Sequence, residues 1–222
     1  MRWYDLSDGE LALDRIVEAL AGAATVGDRP AADLRHRLGS LRAGAAQMLR
    51  AGLVGEPLAA CFAAATDAGA GLQQWRRVTA TITALAPSTA AARAILAAGL
   101  RLALVEQSRV ITVLAFGSRD EAQLLAAEIS AAFDSAISTA ADLGEMEVLR
   151  AMTVLHGAVI RDLTERGRPL ARVVRYTSAE PEPSLVLAHR LYADADRADE
   201  LVAFNQAVHP AFMPNGGQAL SE

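Results

Sequence analysis

The chain has no lysine. All 21 of its basic residues are arginine, which a GC-rich coding sequence produces without any functional cause. Acids outnumber them, and the net charge of −5 argues against a general nucleic-acid binder, which needs a basic surplus. One cysteine, Cys61, excludes an internal disulfide framework and, in its alanine-rich setting, reads as a small buried apolar residue. Aromatics are only 5% of a chain that is 52% apolar. The core must therefore be built from Ala, Leu, Val and Ile, which favours close-packed helices over a sandwich or barrel. A long uncharged apolar run is also missing. The most apolar window, 90–116, is interrupted by Arg93, Arg101, Glu106 and Arg109 and reads as a helix buried in protein, so no membrane span is expected. The first residues, Met1 to Asp5, contain no apolar segment of the secretory type.

Chemical signatures are equally scarce. The sequence contains no Gly-x-Ser-x-Gly elbow, phosphate loop or dinucleotide fingerprint, and Gly69-Ala-Gly71 is too short for one. His36, His156, His189 and His209 stand apart, without the i, i+3 or i, i+4 spacing of a zinc site. His156 reads as a hydrogen-bonded core histidine and His209, before Pro210, as a turn residue. Asp194, Asp196, Asp199 and Glu200 are accounted for by helix capping and an acidic first turn. The expectation is a protein that is not an enzyme and has no catalytic residue, cofactor or metal site.

What is present is helical grammar. Ser7-Asp-Gly-Glu10 predicts a capping box before a stripe of Leu13, Ile16, Val17, Leu20 and Ala24. Gly27-Asp-Arg-Pro30 breaks it, and a helix over 31–50 follows, with Arg35, Arg37, Arg42 and Arg50 on a solvated face. Further helices are predicted over 58–68, 72–85 and from Ser88 onward, the last after the breaker Ala86-Pro87-Ser88. Its arginines 93, 101 and 109 lie eight apart, each turned roughly 80° from the last, so they point to separate contacts. The β-branched run Val110–Phe116 suits either helix or strand, and its flanking charges favour helix. Ser118-Arg-Asp-Glu121 is a second capping box, preceding helices through Ile129, Phe133 and Ala140 and through Met152, Val159 and Leu163 that form an antiparallel pair.

After Gly167-Arg-Pro169 the pattern changes. Leu170–Thr177 alternates and is the best strand in the chain. Ala179-Glu-Pro-Glu-Pro183 is extended, because residues before proline avoid the α region. Ser184 is predicted to cap a helix over 185–192, and Asp196 one over 197–205. A short strand is possible only near Ala219-Leu220. The fold class expected is mainly α: an Ala-rich helical bundle (1–169) with a small C-terminal α+β module (170–222). Leu185, Leu191, Tyr192, Leu201 and Phe204 are the expected module core. Partner-contact candidates are Tyr176, Leu185, Tyr192, Arg197, Asn205, Phe212 and Met213, since aromatics supply large interface area. Arg150, Arg161, Arg166, Arg168, Arg172 and Arg175 form a basic concentration. It reads first as an exposed helix end and second as a contact to an acidic neighbour or DNA.

The order Pro183-Ser-Leu-Val-Leu-Ala188, Leu191-Tyr192, Arg197-Ala-Asp-Glu-Leu201, Asn205 and His209-Pro-x-Phe-x-Pro214 resembles the C-terminal end of Mu-type phage DNA circularisation proteins, encoded among tail genes. Arg161-Asp-Leu163 and Pro169-Leu170 also fit. The same stretch is similar to a LysM-like module, a strand–helix–helix–strand unit, with Asn205 as the polar residue after the second helix. The resemblance covers roughly the last quarter of the chain. It implies a structural protein of the baseplate or hub region of a phage tail, located in the virion and made in the bacterial cytoplasm. Its implied partners are other tail proteins (hub, tail tube, wedge) and further copies of itself in a ring. The family name implies a second role, association with injected DNA ends, and LysM-like modules imply a third, peptidoglycan binding. Ala193 stands where such modules usually carry glycine, and the family's usual N-terminal domain has no counterpart before the helical region.

Overall fold

The computed structural model describes residues 3–24 and 29–221. The elements run α1 (Trp3–Ala21), α2 (Arg29–Ala51), α3 (Gly55–Asp67), α4 (Leu72–Thr83), α5 (Ala90–Val113), α6 (Arg119–Asp142), α7 (Met146–Gly167), β1 (Val173–Thr177), α8 (Ser184–Tyr192), a 3-10 turn (Ala195–Arg197), α9 (Ala198–Phe204) and β2 (Gly216–Leu220). The protein is mainly helical, with one small antiparallel two-stranded sheet near its C-terminus. Its contacts divide it into two compact units: residues 1–114 with 129–159, and residues 115–128 with 160–222. The second includes all of 170–222.

In the first unit α5 packs against α1, α3 and α4, while α2 lies against α1 and α3. Leu13, Ile16, Leu20, Leu34, Leu41, Leu58 and Ile82 are fully buried between them. Alanine and glycine let α5 approach its neighbours: Ala92 and Ala103 are buried, and a Cβ at Gly99 would stand 3.0 Å from Ile16 Cδ1. Two of the scarce aromatics lie in this core, the Phe62 and Trp75 rings stacked at 5.6 Å. Because α5 is enclosed on several sides, even polar side chains are buried on it, and each has a partner. Glu106 accepts from Thr66 (2.7 Å) and Arg109 (2.8 Å), Gln107 donates to Thr79 (3.1 Å), and Ser108 donates to the Leu104 carbonyl (2.7 Å). In the α6–α7 part of this unit, His156 stacks on Phe133 at 5.1 Å and shares a hydrogen bond of 2.9 Å with Ser130. The α6–α7 turn ends on Gly144 at φ +70°, with Glu145 N donating to the Ala140 carbonyl, the usual glycine stop of a helix.

Several capping expectations are corrected. Ser7 to Glu10 lie inside α1, which is already helical at Trp3. Asp8 instead caps another helix: its Oδ2 accepts from the amides and hydroxyls of Ser88 and Thr89, at 2.7 to 3.2 Å. Thr89, not Ser88, is the N-cap of α5, accepting from Ala92 N at 3.2 Å. Part of the break at 27–30 lies outside the described residues; Pro30 occupies the first turn of α2. The Val110–Phe116 run is helical to Val113, and Leu114 is extended. Ser118 caps α6 through Glu121 N (3.2 Å), while the Glu121 carboxylate reaches back to Gly117 N (2.8 Å). By length and composition α6 is the one helix among the described residues able to cross a membrane, and 28% of its apolar window is buried in the protein.

In the second unit, Arg119 N donates to the Ala171 carbonyl (2.9 Å), and Val173 N donates to the Asp120 carboxylate (2.7 Å), so the start of α6 fixes the start of β1. β1 pairs with β2 in the register Val173↔Leu220 to Thr177↔Gly216. Over this ribbon Tyr176, Leu187, Ala188, Tyr192, Ala198, Leu201, Met213 and Ala219 form a separate small core. Pro183 precedes α8, and Ser184 is its first residue, buried, with its amide donating to the Pro210 carbonyl at 2.7 Å. Ser184 is thus not the cap expected. Likewise Asp194, not Asp196, caps the following turn, accepting from Asp196 N at 2.9 Å.

Asp8 supplies the test of this arrangement. The Thr89 hydroxyl, then the Ser88 hydroxyl and both amides, hold its carboxyl below the ordinary 3.8, against a smaller opposing effect of desolvation. A depressed carboxylate adds stability above its unfolded value and loses it as the pH falls through the folded value. Asp8→Ala is expected to lower the denaturation midpoint at neutral pH. The gap from wild type should close as the pH drops below 3.8 in denaturant titrations at stepped pH.

Candidate functional site

The C-terminal module is held by polar side chains that act as struts. Asn205 follows α9 and reaches across to β2: its Nδ2 donates to the carbonyls of Leu201 (2.9 Å) and Gln218 (2.7 Å), and its Oδ1 accepts from Gln218 N (2.7 Å). A side chain at Gly217 would overlap Asn205 Oδ1 and stand 2.7 Å from the Tyr176 hydroxyl, so Gly217 is a condition of the strand and not a sign of its weakness. The Tyr192 hydroxyl accepts from Leu220 N at 3.1 Å. Burial pushes the Tyr192 phenol above its ordinary value, partly offset by that amide, and burial alone raises Tyr176. Arg197 lies with its guanidinium 3.7 Å over the Tyr192 ring and forks onto Glu200 at 2.8 and 3.1 Å.

These contacts sort the candidate residues. Tyr176, Tyr192 and Met213 are core residues, at 5%, 7% and 1% exposure, so the expectation that they present themselves to a partner is corrected. Arg197 and Asn205 are half-buried and engaged internally. Leu185 and Phe212 are exposed, at 60% and 70%. Leu185 was also expected in the core; Leu187, Ala188 and Tyr192 occupy the inward face of α8 instead, with Leu191 partly buried beside them, and Phe204 is only half-buried.

Exposed apolar residues of the module stand at the start of α8 and in the segment bound to it, with Val174 and Val208 exposed elsewhere. Ser184 N to the Pro210 carbonyl and Met213 N to the Glu182 carbonyl (2.9 Å) bind the 209–213 segment to the beginning of α8. That places Phe212, its ring tilted against His209 at 5.7 Å, beside the turn of α8 that carries Leu185 and Val186. Val186 and Val208 are exposed as well and were not anticipated. Their signal was present as Leu185-Val-Leu-Ala188: four apolar residues in a row cannot all face inward on a helix, so one pair must face out. The apolar seam between the start of α8 and the 209–213 segment is the candidate docking face.

The basic concentration does not stay together. Arg150, in the first unit, pairs with Glu147 at 2.8 Å on the surface. Arg166 pairs with Asp162 (2.8 Å) and covers Phe116 at 5.0 Å. Arg161, Arg168, Arg172 and Arg175 are exposed in the second unit, without a carboxylate partner among the described residues. Arg168 and Arg119 line a cavity of about 190 Å³ between the start of α6 and the end of α7. Among the described residues no three His, Cys, Asp or Glu side chains gather where a metal ion could sit. Cys61 is buried and its thiol is pushed up to about 11 by that burial.

Two substitutions test the module. Ala193 ends α8 at φ +54°, a left-handed conformation that favours glycine. Ala193→Gly should stabilise the protein by about 1 kcal/mol in denaturant unfolding. Asn205→Ala removes three hydrogen bonds and should cost about 2 kcal/mol, with the Gln218 amide losing its protection from hydrogen exchange. No protein-family model matches the sequence, and no curated protein matches it.

Proposed function

We propose that this protein is a structural component of a phage tail, in the baseplate or hub region, and that its C-terminal module is LysM-like and serves as a connector to a neighbouring tail protein. The observation that carries the reading is the order β1, α8, α9, β2 closed around a core of its own, with Leu185, Val186 and Phe212 left outside where the 209–213 segment is bound to the start of α8. An exposed apolar cluster on a small module is a surface for protein contact. The helical first unit contributes bulk and further contact surface, and a ring of identical copies is the assembly proposed. The motif residues with internal roles, Asn205, Tyr192 and Arg197, agree with a module whose sequence signature is structural.

A second reading, association with DNA ends, is favoured by the four exposed arginines without carboxylate partners, Arg161, Arg168, Arg172 and Arg175. Phosphate contacts of that kind make affinity fall steeply with salt. Peptidoglycan binding has no comparable observation behind it.

Purified tail particles from the source should contain the chain in several copies. Leu185→Ser/Phe212→Ser should release it from the particle while leaving its own stability within about 0.5 kcal/mol, because both side chains are exposed. A chain that is absent from particles and monomeric at all concentrations sinks the tail reading. DNA retention at low salt that disappears in the quadruple arginine-to-glutamine variant would favour the second.

A further inference from the structure

The first unit contains a cavity of about 440 Å³ that neither the tail reading nor the DNA reading uses. Its volume falls within the roughly 300–1,000 Å³ typical of small-molecule sites. Ile82, Leu96, Leu100 and Leu104 form much of its wall, and the second half of α6 closes one side with Ala132 and Ala136. Three threonines line it too: Thr83 donates to the Thr79 carbonyl (2.8 Å) and Thr139 to the Ser135 carbonyl (2.9 Å), each spending its proton on its own helix, while the Thr79 hydroxyl accepts from Gln107 (3.1 Å).

The charged groups in the wall are of one sign. Arg93 and Arg101 both line the cavity, and no carboxylate does. Arg93 is exposed and has no acidic partner among the described residues. Arg101 is the unusual one. Its side chain is only 12% exposed, and its Nη2 lies 2.5 Å from Glu145 Oε2. That contact is not directed along an N–H bond: Nε, Nη2 and the glutamate oxygen are all buried without an aligned hydrogen bond. Glu145 therefore balances the charge of Arg101, while the buried Nε has no acceptor. A buried guanidinium with a free N–H beside an apolar hollow, next to the acid-free Arg93, is complementary to a planar anionic head carrying an aliphatic tail.

We propose that this cavity binds a single-chain fatty carboxylate, its tail between α4, α5 and α6 and its head shared by Arg101 and Arg93. The site lies wholly within the first unit and does not rest on the tail assignment. The test is calorimetric titration of the full chain with dodecanoate below its micelle concentration, with dodecanol and dodecyltrimethylammonium as controls for the head group.

Dodecanoate should bind saturably, one per chain, and roughly tenfold or more tighter than either control, because its head gains charge-assisted hydrogen bonds. Arg93→Gln, an exposed change that leaves folding intact, should weaken dodecanoate severalfold. Arg101→Gln/Glu145→Gln, which removes both charges together, should weaken it further. Ala136→Trp fills the hollow and should abolish binding, with circular dichroism checking that the variant is folded. Absence of saturation overturns the proposal, as does equal binding of all three amphiphiles or indifference to Arg93→Gln. If Ala136→Trp changes the oligomeric state but leaves dodecanoate bound, the hollow is a contact between copies and the ligand site falls.

Discussion

The enclosure of α5 is the constraint on which the first unit depends. A helix packed against three others has little face to give to water, so it must be thin where neighbours approach and satisfied where its polar side chains are buried. Ala92, Gly99 and Ala103 meet the first condition. Glu106, Gln107 and Ser108 meet the second, each bound to a neighbouring helix or to the turn below. The same demand reaches the helix terminus. Thr89 supplies one acceptor to the free amides at the start of α5, and Asp8 on α1 orients Thr89 and Ser88 in turn. One carboxylate thereby couples the first helix of the chain to the most buried one.

The second unit solves a different problem. The core over its ribbon contains only eight buried residues among those described, too few for burial alone to fix a two-stranded ribbon. Directed polar contacts take up the deficit: Asn205 and Tyr192 each hold β2 from the side opposite β1, and Asp120 holds the first residue of β1. Arg197 packs its cationic plane on Tyr192 and is fixed in that position by Glu200, so a charged side chain completes an apolar surface. This explains why a short strand containing two glycines is stable here. Gly217 leaves the space in which Asn205 and the Tyr176 ring meet.

Much of the architecture was legible because it depends on periodicity and punctuation. The stripe Leu13, Ile16, Val17 and Leu20, the break at Pro87, the Ser118 box and the strand at Val173–Thr177 are all local features, and each is found where the pattern puts it. What was not legible was long-range. Asp8 reads as part of a capping box because Glu10 stands three positions after Ser7, yet its partners lie eighty residues away. Four apolar residues at 185–188 do not reveal their own helical phase; the core above the ribbon selects Leu187 and Ala188 and turns Leu185 and Val186 outward. Arg101 presents the same difficulty: spacing separated it from Arg93 and Arg109, but only the fold puts it beside a hollow and Glu145.

The motif that marks the C-terminal stretch is mostly an inward-facing one. Ser184, Leu187, Ala188, Tyr192, Ala198 and Leu201 are buried, Asn205 is occupied with Leu201 and Gln218, and Pro181 and Pro183 before Ser184 set the approach to α8. A signature of this kind specifies a scaffold and is silent about what the scaffold touches. Recognition must then fall to side chains that the scaffold does not need: Leu185, Val186 and Phe212 at the start of α8, Val208 after α9, and the exposed arginines elsewhere in the unit. Those positions are free to change without unfolding the module. A connector built this way can keep one fold and alter its partner by exchanging a few apolar surface residues, which is the property the proposed place in a tail assembly requires.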